Sequence, residues 1–212
     1  MDEVNTPEPT AGGVRWKRFG IMLGLTGAAT AGLIALTAEG VLAANFSISG
    51  MPFTVTATNL HGEGFEQFAT MDNMIKNSPN EGTTGGQVVV IVSAIDSAKL
   101  TKLCQSVSLG GMNLKITAGD AGNPVEAKTL VVDSDLIQGD ADFQRIEVGG
   151  DASTFNKVKD PATGDYITGG AGIFGQQADV VDIGNLRQNN YATTAARFTL
   201  PHLRMSFTAD GC

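Results

Sequence analysis

Phe53-Thr54-Val55-Thr56-Ala57-Thr58 places an apolar side chain at every second position. Successive side chains of an extended chain point to opposite faces. The stretch therefore predicts a half-buried β-strand with Phe53, Val55 and Ala57 on the core side. The same alternation recurs in Leu114, Ile116 and Ala118, and again in Leu203, Met205 and Phe207. Tyr191–Leu200 predicts a further strand, with Ala192, Thr194, Ala196, Phe198 and Leu200 on one side and Pro201 ending it. Val88–Val92 is an unbroken β-branched run, which predicts a strand buried on both faces.

Glycine-rich clusters punctuate these segments at Gly85-Gly86, Gly110-Gly111, Gly119–Pro124, Gly149-Gly150 and Gly169–Gly172. Short strands separated by such turns predict a mainly β chain: a single sandwich- or roll-like antiparallel domain over residues 44–212. Gly119 and Gly122 are expected at turn positions with positive φ. The only helical feature expected in this region is a short turn near Glu66–Ile75. Residues 151–172 are the least patterned and read as a long surface loop.

The N-terminal part has a different composition. Residues 1–18 are polar and end in a basic cluster, Arg15, Lys17 and Arg18 around Trp16. An uncharged run follows from Phe19 to Ala38, then Val41-Leu42-Ala43. Basic, apolar and small-residue regions in this order predict a secretory signal over residues 19–43, cut between Ala43 and Ala44. Twenty uncharged residues would also span about 30 Å as a helix, so residues 19–41 could instead stay as a signal anchor. Either outcome keeps the basic side in the cytoplasm and exports the β domain, secreted or held at the cell surface.

The 212 residues carry 14 Lys+Arg against 22 Asp+Glu, for a net charge of −8. A nucleic-acid binder needs clustered cations to displace counterions, so that class is not expected. Two Cys and two His are too few for a Cys/His zinc site, and no cofactor is expected. Outside the cell, Cys104 and Cys212 most simply form one disulfide. Two free thiols or an intermolecular bond are the alternatives. Closing a loop of this length stabilises the fold by roughly 4–5 kcal/mol in the chain-entropy model.

Several stretches together resemble a known family. They include Arg15-Trp16-Lys17-Arg18-Phe19, Ala43-Ala44-Asn45-Phe46-Ser47-Ile48-Ser49-Gly50 and Leu60-His61-Gly62-Glu63-Gly64-Phe65. Lys102-Leu103-Cys104-Gln105-Ser106, the segment Thr117–Ala127, Gln176-Gln177-Ala178, Tyr191–Ala195 and the terminal Cys212 complete the set. The chain is similar to an actinobacterial family of exported proteins without an assigned function, some of whose members carry the label cholesterol esterase. The resemblance implies export and brings no active site.

The residues give the esterase label little support. No serine stands in Gly-x-Ser-x-Gly; Ser108 has Gly110 after it, but Ser106 occupies the first glycine position. The base would have to be His61, in a Gly-rich segment beside Glu63, or His202, after Pro201. A triad on an all-β scaffold remains open, because geometry and not sequence order defines it. The densest charge feature is Asp133, Asp135, Asp140 and Asp142, a candidate calcium site that lacks the full ligand spacing of a calcium loop. The expected function is a non-catalytic exported protein. It would bind a lipid or other hydrophobic small molecule between small Ala/Thr-rich strands, or serve a structural role at the surface. Contact with a membrane through residues 19–41 and self-association through strand edges are the other expected interactions. A secreted steryl or lipid ester hydrolase is the alternative.

Overall fold

The computed structural model describes residues 47–212. The expected N-terminal helix and the Ala43–Ala44 cut lie outside the described residues. Among the described residues no helix is long and apolar enough to cross a membrane.

Eight strands form one antiparallel sheet: β1 (Phe53–Asn73), β2 (Gln87–Thr101), β3 (Leu103–Ser108), β4 (Asn113–Ala118), β5 (Val125–Gln144), β6 (Glu147–Asp151), β7 (Phe174–Thr199) and β8 (Arg204–Thr208). Their order is β6-β7-β5-β2-β1-β3-β4-β8, with a further pairing between β7 and β1. That pairing corrects the sandwich expectation. β1 pairs with β2, β2 with β5, β5 with β7, and β7 back with β1, so the four long strands hydrogen-bond in a closed cycle. Closure removes the free edges of these strands, which an open sheet would expose.

The long strands manage this by bending. Lys102, left-handed at φ 54°, turns β2 into β3, and Thr129 at φ 47° interrupts the alternation of β5. Inside the cycle lies a core built on Val55, Leu60, Phe65, Ile95, Leu130 and Leu186. A second core lies against the outer face, where Phe68, Val90, Val92 and Ala94 meet Phe155, Val158 and Ile167.

The second core corrects the reading of residues 151–172. This segment buries Ala152, Phe155, Val158 and Ile167, with Phe155 only 2 % exposed. It is a strap packed on the sheet, not a solvated loop. Asp151 pins both of its ends: one carboxylate oxygen accepts from Ser153 N at 3.0 Å, where a short 3-10 turn over Ala152–Thr154 begins, and the other accepts from Gly172 N at 2.9 Å. Gly175 permits the close approach, because a Cβ there would stand 2.6 Å from the Phe155 ring.

Four local expectations also change. Glu66–Asn73 is strand, not a turn, because the segment is paired along its whole length with Ala94–Gln87 of β2. Val88–Val92 is not buried on both faces: Val90 and Val92 face the strap, while Val89 is 68 % exposed. Gly149-Gly150 falls within β6. Gly119 has the expected positive φ of 73°, whereas Gly122 does not; Asp120 instead forms the turn by accepting from Gly122 N at 2.9 Å and Asn123 N at 2.8 Å.

The largest change concerns Leu203, Met205 and Phe207. Their alternation does form strand β8, but the apolar side faces outward, with exposures of 51 %, 59 % and 62 %. β3, β4 and β8 project from the closed cycle as a three-stranded wing, joined to it through Thr54–Thr56 of β1.

Candidate functional site

The two faces of the wing differ. Cys104 and Ser106 share one face with Lys115 and Thr117, their cross-strand partners. The C-terminal tail crosses that face. Cys212 is disulfide-bonded to Cys104 with Cα atoms 5.9 Å apart. Cys212 N donates to Ser106 Oγ at 2.9 Å, Asn113 Nδ2 to Ala209 O at 2.9 Å, and Lys115 Nζ to Gly211 O at 3.1 Å. The other face carries Leu103, Gln105 and Val107, paired with Ala118, Ile116 and Leu114, which in turn meet Met205 and Phe207 of β8. That face is mainly apolar: Leu103 and Ala118 are buried next to the closed cycle, Val107, Leu114 and Ile116 are half-buried, and Met205 and Phe207 are exposed.

Leu103 and Gln105 also line a cavity that runs into the closed cycle, so the apolar face of the wing is continuous with it. The cavity encloses about 30 Å³, with Val55, Leu60, Ile95 and Leu130 among its walls and the half-exposed Phe198 at its edge. A space of this size holds one water-sized group.

Asn190 lines this cavity, is fully buried, and has no hydrogen-bond partner on either Oδ1 or Nδ2. Thr193 Oγ1, also on the wall, is unpartnered as well. Ser93 Oγ accepts from Gln67 Nε2 at 2.9 Å and keeps its own proton to donate. A buried amide without partners costs about 1–3 kcal/mol per group, so a hydrogen-bonding group placed in the cavity, water included, is stabilised there. No charged side chain lines this cavity among the described residues.

The acids lie elsewhere. Glu66, fully buried on the outer face, accepts from the backbone N–H of Lys157 and, at 3.0 Å, of Val158, tying the strap to β1. Burial pushes its carboxyl up to about 7, against the opposing pull of these two N–H groups. Asp133 is also pushed up to about 7, first by burial and then by the neighbouring charge of Asp72, whose own carboxyl is raised by burial. Sequence reading named Asp133 but missed its pairing with Asp72, since the two lie on different strands.

The other sequence candidates are dispersed. Asp135 accepts from Asn189 Nδ2 at 2.7 Å and Asp140 from Asn185 Nδ2 at 2.9 Å, while Asp142 stands opposite Asp182 in the β5–β7 ladder. Asp133, Asp135, Asp140 and Asp142 thus do not converge, and no group of three or more His, Cys, Asp or Glu placed to hold a metal occurs among the described residues. His61 Nδ1 lies 2.8 Å from Asp182 Oδ1, and His202 Nδ1 lies 3.0 Å from Asp120 Oδ2. Each is a half-exposed or exposed His–Asp pair on the surface. Among the described residues neither imidazole has a serine as its hydrogen-bond partner.

A family model matches residues 49–212. The chain belongs to DUF6230, a family of unknown function. No curated protein and no solved structure matches it. The DUF6230 match spans the cavity, the strap and the wing alike.

Asn190 is a candidate site residue that the sequence analysis does not single out. Its signal was Gln188-Asn189-Asn190, three consecutive amides inside a strand that elsewhere alternates.

Proposed function

We propose that this protein is an exported binding protein that takes a hydrophobic small molecule of the lipid class and does not act on it chemically. The carrying observation is the fully buried, unpartnered Asn190 in a mainly apolar cavity whose walls include Leu103 and Gln105 of the wing. Apolar walls with a few convergent polar groups are the usual make-up of small-molecule sites. Export is supported by the basic, apolar and small-residue order of residues 15–43 and agrees with the Cys104–Cys212 disulfide. The His–Asp pairs without a serine favour binding over ester hydrolysis.

The test is solvent extraction of the purified protein followed by mass spectrometry of the extract. A co-purifying apolar molecule, lost from a Met205→Ser/Phe207→Ser variant, is the expected result. An extract without such a molecule, together with a large particle on sizing, would point instead to a structural role through the open edge of β8.

A further inference from the structure

We infer that the ligand carries an uncharged hydrogen-bonding end, such as a hydroxyl or primary amide, which enters the Asn190 cavity while its aliphatic body lies on the wing. This deepens, and rests on, the binding reading above.

The shape of the site divides the ligand in two. About 30 Å³ of enclosed space admits one small group and no chain. The body must therefore lie outside, and the continuous surface leading out runs through Leu103 and Ile116 to Met205 and Phe207. Of these, Met205 and Phe207, 59 % and 62 % exposed, gain most by being covered.

The chemistry of the cavity sets the end group. Asn190 offers one acceptor and a two-proton donor, both unused, and Thr193 Oγ1 adds a hydroxyl. A hydroxyl or amide both donates and accepts, so it answers this set. A carboxylate only accepts, and it would bring a charge into apolar walls with no cation to pair it. The protein as a whole is acidic, which further disfavours an anion. An ammonium meets the same apolar walls without a carboxylate partner.

The experiment is equilibrium dialysis of the full chain at pH 8 against labelled 1-dodecanol, dodecanoate and dodecane, each below its aggregation limit. The expected ranking is 1-dodecanol at least tenfold tighter than either of the others. Asn190→Leu should bring 1-dodecanol down to the level of dodecane, and Thr193→Val should lower it less. Met205→Ser/Phe207→Ser should weaken every probe. The wild-type ranking stands without any variant having to fold. Dodecanoate binding as tightly as 1-dodecanol would overturn the uncharged end while leaving an apolar site. Dodecane binding as tightly would show that Asn190 recognises nothing on the ligand. Failure of all three probes would overturn the binding reading itself.

Discussion

The outer face under the strap and the apolar face of the wing are built from the same sheet and the same kinds of side chain. One is covered by the chain itself and the other is not. On the strap side, Phe68, Val90 and Val92 are sealed by Phe155, Val158 and Ile167, and the seal is closed by polar contacts at Asp151 and Glu66. On the wing, Leu203, Met205 and Phe207 have no such cover among the described residues, and the C-terminal tail is bound by its disulfide to the opposite face. Among the described residues the chain covers the strap side alone. On the proposed reading, the covered face serves stability and the exposed face serves recognition.

Phe155→Ala tests the first half with the largest expected effect. The ring is 2 % exposed and wedged against Gly175, so the substitution leaves a cavity in the second core. A loss of about 3–5 kcal/mol in urea unfolding is expected. A loss under about 1 kcal/mol would show that the strap is only laid on the sheet.

Removing the tail's tether comes next. Cys104→Ser with Cys212→Ser should lower stability by about 2–5 kcal/mol, measured the same way under non-reducing conditions. If the tail chiefly holds the wing, amide exchange should rise more in β3, β4 and β8 than in β5.

A third prediction concerns pH. The Glu66 carboxyl sits at about 7 in the fold against an ordinary value of 4.5, so the native state holds a proton that the unfolded chain has lost. Stability should therefore fall as pH rises from about 4.5 to 7 and level off above that window. Asp133, also at about 7, adds to the same trend. Glu66→Gln should flatten the slope of the urea midpoint across that window without abolishing it. An unchanged slope would remove Glu66 from the account. The strap is thus fastened by a group whose charge is costly to bury, whereas the Asn190 cavity has mainly apolar walls with uncharged polar groups among them.

Period-two alternation made the strands legible, because it follows from backbone geometry alone. It gave β4, β8 and the end of β7 with nearly correct limits. It could not give the direction of burial, since alternation says that two faces differ and not which one is covered. Leu203, Met205 and Phe207 were placed inside for that reason. The strap was illegible because Phe155, Val158 and Ile167 follow no regular period; irregular backbone packs through individual anchors whose partners, such as Glu66, lie about ninety residues away. The closed cycle was hidden in the same way, since the β1–β7 pairing joins segments at opposite ends of the described chain. Of the candidate site, sequence marks the acids and histidines because their side chains are reactive, whereas side-chain type alone does not distinguish Asn190 from a solvated polar residue.

The smallest expected change is the one that separates the two faces most sharply. Met205→Ser with Phe207→Ser alters two side chains that are 59 % and 62 % exposed on an edge strand. Neither fills a core, and the β4–β8 ladder depends on backbone groups that the substitutions leave in place. Stability should stay within about 0.5 kcal/mol of wild type by urea unfolding, as for exposed positions generally. The same pair should lose ligand from the extract. A stability loss comparable to that of Phe155→Ala would mean that the wing face is packed in solution, and the distinction between covered and uncovered faces would fail with it.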